Sequence, residues 1–343
     1  SPGRRARRSS RCRRCGSRSS GRSRADRLRF PAMDVIRGHQ RAPAWPGAAV
    51  AIGNFDGVHL GHRALAERAR RLAEAHDAKS VVLTFDPHPS RLISPHTAPP
   101  MLSSLERRLE LLAETGIDAV VVEPFTRELA ACPAQRFIDD VVLFGLRARA
   151  IVVGYDFSYG QGRTGTVEAL RIHGQRAGIE VDIVPAVEIG EVASSTRIRH
   201  YLREGDLAGA ERLLGRRWDV DGVVVHGAKR GRAIGIPTAN ITPSSDLPIA
   251  PGIYAVTLAV AGADRAFGAP RPAVASLGTN PTFVDGDRLV LEVHVLDFDG
   301  DLYDRRVRTT FVARLRAEQK FDSVEALVAQ IHRDIDAART HLK

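Results

Sequence analysis

Two histidines three residues apart, His59 and His62, are the first residues of this chain whose type and spacing suit chemistry. They close the stretch Gly53-Asn54-Phe55-Asp56-Gly57-Val58-His59-Leu60-Gly61-His62. It joins the apolar run Ala48 to Ile52 to a segment carrying Leu65, Ala69 and Leu72 at helical spacing. The histidines therefore stand at a helix start, where unpaired N–H groups and the positive end of the helix dipole stabilise a phosphate. Two imidazole N–H donors at this spacing reach one anion, and Gly53, Gly57 and Gly61 allow close approach of backbone and ligand. Two other readings stay open. The string also fits capping or packing histidines, and a metal site needs a third ligand that is not evident nearby, at a spacing unlike the i, i+4 of zinc-binding helices.

A second group is Ser194-Ser195-Thr196-Arg197-Ile198-Arg199. Hydroxyls at a helix start, with Arg199 one turn inward, bind oxyanions through direct and charge-assisted hydrogen bonds. A serine cap with solvated arginines is the plainer alternative. Further on, the loop from Gly227 through Lys229 and Gly231 to Gly235 is basic and glycine-rich but lacks Walker spacing, so backbone N–H groups must do most of any phosphate cradling. Thr238 and Asn240, two apart on an extended segment, face one side and offer the oxygen ligands that Mg²⁺ prefers, although turn chemistry after Pro237 explains them equally. Glu292 alternates with Leu291 and Val293 and shares a strand face with His294, a position that a solvated strand residue also takes.

The elements that must position these residues fall into two patterns. From Ala48 to about Gly205, short apolar strands (48–52, 80–85, 118–122, 150–154, 180–184) alternate with amphipathic helices (63–75, 105–114, 134–144, 167–177, 196–203). Such alternation predicts an α/β, doubly wound parallel sheet with ligands at the carboxyl ends of its strands. After Gly215 the period changes to two, over 220–225, 252–260, 289–298 and 307–315, which predicts an antiparallel β-barrel. A C-terminal helix follows, with Asp322 and Glu325 placed as a capping box and Val324, Leu327, Val328, Ile331 and Ile335 on one face. The acidic run Asp297 to Asp304 has its glycine at the wrong position for an EF-hand and reads as a hairpin turn.

The formal charge of +10 describes a tail. Twelve arginines against the single acid Asp26 give residues 1–32 a charge of +11, which leaves 33–343 at −1. The tail is Arg/Ser/Gly-rich and cannot bury enough surface to offset its ordering entropy. A nucleic-acid arm and a transit-like segment are weighed against native translation from Met33, and the last is preferred because no amphipathic order accompanies the charge. Cys12-x-x-Cys15 has only Cys132 to join it, too few thiolates for a four-cysteine zinc site or a disulfide framework. With no apolar run near the ~18–20 residues of a membrane span, the expectation is a soluble, cytoplasmic protein that binds small molecules rather than nucleic acid or membrane. The expected division is 1–32 tail, 33–210 first module and 211–343 second module.

The two modules together carry a resemblance. Gly53 to His62, Thr84-Phe-Asp-Pro-His-Pro89, Val153-Gly-Tyr-Asp-Phe-Ser-Tyr-Gly160 and Ser194 to Arg199 resemble the FMN adenylyltransferase module of bacterial bifunctional riboflavin kinase/FAD synthetases. Gly227 to Asn240, Pro251-Gly-Ile-Tyr254, Asn280-Pro-Thr-Phe283 and Leu291-Glu-Val-His294 are similar to their riboflavin kinase module, in the expected order. Departures are Tyr159, where the family often has Phe, and Asp304, where its Leu-Tyr-Gly pattern has Gly. The resemblance implies ATP-dependent phosphorylation of riboflavin to FMN and adenylylation of FMN to FAD, with Mg²⁺. It also implies Glu292 as the kinase base, His59, His62 and Arg199 on the triphosphate in transit, Asn54 and Asp56 beside them to orient ATP and metal, and Asp156 against the flavin. The alternative is another nucleotidyltransferase whose barrel binds ligand without catalysis.

Overall fold

The computed structural model describes residues 33–227, 231, 234–279 and 289–343. Residues 1–32, Lys229 and the Asn280–Phe283 motif lie outside that set. In the first module β1 (Asp34–Arg37), β2 (Ala48–Ile52), β3 (Lys79–Asp86), β4 (Ala119–Pro124), β5 (Ala148–Gly154) and β8 (Glu180–Val184) form a wholly parallel sheet in the order β1-β4-β3-β2-β5-β8. A small hairpin, β6 (Ser158–Tyr159) with β7 (Gly165–Thr166), follows β5. β2 is buried on every residue because the sheet is covered on both faces. Val50, Ile52, Val81, Leu83 and Ile151 pack on one side, and Ala51, Val82 and Val152 pack on the other against Leu65 and Leu109. Those two come from α1 (Leu60–Ala75) and α3 (Leu105–Ala113); the short α2 (Pro89–Ile93) precedes α3.

The expected helix over 134–144 is present, but most of it is π-helical. After the short turns α4 (Arg127–Ala130) and α5 (Ala134–Arg136) the chain widens into a π-helical segment, Phe137–Gly145, which buries Phe137, Ile138, Val141 and Val142. The module continues through α6 (Val167–Ala177) to α7 (Ser195–Glu204) and α8 (Leu207–Leu214). The expected division at 210/211 falls inside α8.

The second module is a closed antiparallel barrel of β9 (Asp219–Val225), β10 (Ala239–Pro243), β11 (Gly252–Val260), β12 (Arg271–Thr279), β13 (Leu289–Val295) and β14 (Arg306–Arg316), in the order β10-β13-β12-β11-β14-β9. Its interior residues, among them Trp218, Tyr254, Leu277, Leu291 and Phe311, belong to one hydrophobic cluster with Ile198 and Leu202 of α7 and Leu213 of α8, so the modules share a core. The segment read as a hairpin is also corrected. β13 and β14 are not neighbours, and the chain from 296 to 305 spans the barrel end between them. The closing helix, α9 (Val324–His341), is capped by Ser323, whose hydroxyl accepts from the Ala326 N–H, rather than by Asp322; Val324 is exposed, and Ile335 and Ala338 carry the packing.

Asp304 lies at φ 59°, in the left-handed region, with its N–H donated to Val224 O at 2.9 Å. That explains why glycine suits the position and why aspartate, which tolerates this conformation better than most residues, replaces it. Asp304→Gly should raise stability by up to about 1 kcal/mol. A thermal melt of the two proteins checks this, and a lowered Tm for the glycine variant refutes it.

Candidate active sites

The chain leaves β2, runs outward through β3 and β4, and returns to β5 on the other side of β2. The resulting crevice lies at the carboxyl ends of β2 and β5, where a doubly wound sheet binds ligand. Gly53 to His62 follows β2 and Asp156, exposed, follows β5. Gly57 takes φ 79° against Leu102, whose side chain would meet an added Cβ at 2.9 Å. Gly61 is equally constrained, because a Cβ there would lie 3.0 Å from the His59 ring and 3.3 Å from Ala193 O. His59 is the N-cap of α1 but makes no side-chain cap bond, and the first turn carries no acid. The positive end of this long helix therefore keeps its N–H groups for another acceptor.

The two imidazoles stack with centroids 3.7 Å apart, and Nδ1 of each is buried with no hydrogen-bond partner. Burial, with the cations Arg199 and Arg216 adding to it, pushes the His59 pKa down to about 3. Burial also lowers His62, with His59 and Arg108 contributing. Both rings are neutral at physiological pH, and each leaves a buried ring nitrogen whose hydrogen-bonding capacity is unused among the described residues.

Asp56, expected to orient nucleotide and metal, is instead turned inward at 1% exposure. Its carboxylate accepts from Leu102 N (3.0 Å), Ser103 N (3.2 Å) and Arg199 Nη2 (2.6 Å). Arg199 also donates through Nε to Pro100 O at 2.6 Å. Ser194 caps α7 by accepting from Arg197 N, Ser195 donates to Asp56 O at 2.9 Å, and Thr196 is exposed on the first turn. Asn54 accepts through its carbonyl from Thr84 Oγ1 at 3.0 Å. The serine motif and the histidine loop are thus one bonded unit.

Sequence reasoning missed Arg216, in the linker between the modules. It donates to Gly57 O at 3.0 Å, while its Nε and Nη1 are buried without partners. Two neighbours join it: Gly215 lies against Leu60, and Trp218 Nε1 donates to Leu102 O at 3.0 Å. No local periodicity marks such a contact, because its partner is 159 residues away.

The second site lies on the outside of the barrel. Leu291 and Val293 point into the core, so Glu292 and His294 point out, and Glu292 stands in register between Asn240 of β10 and Ser276 of β12. Gly227 and Gly231 lie against this row. A Cβ at Gly227 would lie 2.3 Å from the Asn240 amide, and one at Gly231 would lie 2.3 Å from Ile236 O and 3.3 Å from Thr238 Oγ1. Gly235 takes φ 77°, and the His294 Nδ1 is 2.8 Å from Pro237 O. Among the described residues no cluster of three or more His, Cys, Asp or Glu side chains forms a metal site.

A doubly wound parallel sheet with an uncapped helix start beside two buried histidines, joined to a closed antiparallel barrel with glycines packed on a Thr-x-Asn pair, is the architecture of a two-module nucleotide-dependent transferase. Residues 41–197 match the FAD synthetase family and residues 214–342 the riboflavin kinase family. The chain is 38% identical over 309 residues to the bifunctional riboflavin kinase/FMN adenylyltransferase of Pseudomonas fluorescens, covering 90% of this chain and 97% of that one. It is 40% identical to that of Escherichia coli K12 over 310 residues, with the same coverage. A crystal structure described as a macrolide-efflux protein from Streptococcus pneumoniae superposes with a TM-score of 0.76 at 32% identity, covering 90% of this chain and 99% of that one. Among the described residues no helix is long and apolar enough to cross a membrane. The chain belongs to the bifunctional riboflavin kinase/FMN adenylyltransferase family.

The buried neutral histidines set a pH dependence of stability. Below the ordinary value of 6.5 the unfolded chain binds protons that folded His59, at about 3, and His62 do not, so stability is lost as pH falls. Each site contributes up to about 1.4 kcal/mol per pH unit. Tm should drop between pH 7 and 5, and His59→Asn should flatten part of the drop. A parent Tm that is level over this range refutes the neutral assignment.

Proposed function

We propose that the barrel transfers the γ-phosphoryl group of ATP to riboflavin, giving FMN and ADP, and that the first module transfers AMP from a second ATP to FMN, giving FAD and pyrophosphate. The observation that carries this reading is the pairing, on one chain of this family, of an uncapped α1 terminus flanked by neutral, unpartnered histidines with a glycine loop closed over Thr238 and Asn240.

In the barrel, Glu292 removes the proton from the flavin's ribityl hydroxyl as its oxygen attacks the γ-phosphorus, and ADP leaves. The backbone of Gly227, Gly231 and Gly235, with Lys229, holds the phosphates. Thr238 and Asn240 would hold Mg²⁺, for which their hard oxygen donors and the close approach of Gly227 and Gly231 fit. When bound, Mg²⁺ offsets charge on the transferring phosphates. In the first module no nucleophilic side chain is required. His59 and His62 donate N–H groups to the triphosphate, with Gly53, Asn54, Gly61 and the α7 start from Ser194 to Thr196 shaping its seat. Arg199 supplies positive charge beside the histidines while anchored to Asp56, and Asp156 contacts the flavin. Arg216 positions the Gly57 carbonyl from the linker.

Incubation of the purified chain with riboflavin, ATP and Mg²⁺, followed by chromatography, should show FMN first and FAD after it. No FAD from FMN and ATP would sink the adenylyltransferase reading; no FMN would leave the barrel as a non-catalytic binder. Glu292→Gln should lower FMN formation by about 10²- to 10⁴-fold, with adenylylation near the parent rate. His62→Ala should do the reverse. The roles are misassigned if Glu292→Gln abolishes both half-reactions in a folded protein, or if His62→Ala spares adenylylation.

A further inference from the structure

The barrel's connection from β10 to β11, residues 244–251, lies against the first module and touches it at two places. Its start is built on the barrel: Pro243 pairs with Gly222, Ser244 N donates to Asp221 O at 2.8 Å, and the Asp221 carboxylate is held by Arg306 and Arg308. From this base Asp246 reaches across the interface, where its carboxylate accepts from Met101 N at 2.7 Å and pairs with Arg91 of α2. The connection ends on α7, with Ala250 N donating to Leu202 O at 2.9 Å and Ile249 buried in the shared core.

Met101 belongs to a stretch, 100–103, that is bonded at every residue. Pro100 O accepts from Arg199 Nε at 2.6 Å, Leu102 N and Ser103 N donate to Asp56 at 3.0 and 3.2 Å, and the Ser103 hydroxyl accepts from Gly57 N at 3.2 Å. Those bonds face the histidine loop and its arginine. Asp246 and Trp218, whose indole N–H donates to Leu102 O, hold the same stretch from the barrel side. Met101, Leu102 and Ser103 are buried, so a Met101 N–H deprived of Asp246 would lose its acceptor with little access to water, which is costly. The pair with Arg91 is different. Both of its side chains are partly open to solvent, where ion pairs contribute little. Asp246 therefore acts chiefly on the backbone of the stretch rather than through its charge.

We propose that Asp246 is a positioning residue for adenylyl transfer, a barrel side chain that fixes the 100–103 stretch and, through it, Asp56, Arg199 and the turn at Gly57. The inference rests on the histidine loop being the adenylyl-transfer site. Asp246 touches no reacting atom. When the stretch shifts, the carboxylate and guanidinium bonded to it shift as well, and a misplacement of about 1 Å in such a setting costs on the order of 10²-fold in rate.

Separate assays of the two half-reactions on the full chain, together with amide hydrogen exchange, test this. Asp246→Ala should lower kcat for adenylylation by about 10- to 100-fold, with the KM for ATP and for FMN within about threefold and the kinase rate within about twofold. In the same variant the amides of Leu102 and Ser103 should exchange about 10-fold faster, while those of β12 stay at the parent rate. Asp246→Asn, which keeps an acceptor for Met101 N, should recover most of the lost rate, and Arg91→Met should stay near the parent. Asp246→Glu keeps the charge but moves the carboxylate by one methylene; it should lose about 3- to 10-fold in the same kcat, and it decides the matter where the alanine variant does not fold. An unchanged kcat in the deciding variant overturns the proposal, as does an equal loss of both half-reactions or a loss in Arg91→Met as large as that in Asp246→Ala. His62→Ala keeps the two readings apart: if it spares adenylylation the loop assignment fails, whereas unchanged exchange at Leu102 and Ser103 in Asp246→Ala refutes the role of Asp246 by itself.

Discussion

The buried carboxylate of Asp56 holds the first module's site together. Its oxygens accept from the backbone of Leu102 and Ser103 and from Arg199, and its own carbonyl accepts from Ser195. Three stretches far apart in sequence, the loop after β2, the segment leading into α3 and the start of α7, meet on this one residue. An ion pair this buried adds little net stability, because desolvation consumes most of the attraction, yet removing one partner costs about 3–5 kcal/mol. It therefore fixes geometry: once Asp56 and Arg199 are paired, the histidine rings and the α7 terminus have one relative position. Arg199 is a cation already tethered, which limits its motion and would limit the entropy lost on binding an anion.

The contact between modules follows the same logic. Arg107 and Glu110 of α3 reach the barrel, where Arg107 bonds Asp219, and Asp221 gathers Arg306 and Arg308, the latter also bonded to Glu110. Trp218 packs inside the barrel cluster while its indole N–H bonds Leu102 O, one residue from the Asp56 contacts. The linker arginine, Arg216, holds the glycine turn beside them. A barrel that shares its core with α7 and α8 and bonds to the catalytic loop is a structural neighbour of the adenylyltransferase site as well as the carrier of a second one.

What the sequence made legible was local. The runs at 48–52 and 180–184 became β2 and β8 residue for residue, and Ser194 capped α7, because period, cap and glycine turn are set by adjacent residues. β1, β10 and β12 were not legible as strands. β1 has only four residues, Pro237 disguised the approach to β10, and β12 carries Pro272, Gly278 and small side chains in place of a clear alternation. In the first module, the histidines and serines were readable, but the inward turn of Asp56 and the contacts of Arg108 and Arg216 were not. Their partners lie 46 and 143 residues from Asp56, 23 from Arg108 and 159 from Arg216, distances at which only the folded chain brings charges together.

The neutrality of His59 and His62 bears on how such a site could catalyse. Protonated histidines would attract a triphosphate strongly in both ground and transition states, and uniform binding does not raise the rate of the chemical step. Neutral rings offer directed N–H dipoles, whose value depends on where charge develops, within a setting that burial has already stripped of water. Arg199 and Arg216 contribute to that neutrality, since each opposes a proton on His59. The positive charge is thus assigned to arginines fixed by Asp56 and Gly57, while the histidines are kept as oriented donors. That division demands burial of the whole loop, and burial in turn demands the glycines, because a side chain at Gly57 or Gly61 would strike Leu102 or His59 and push the rings out of the stack.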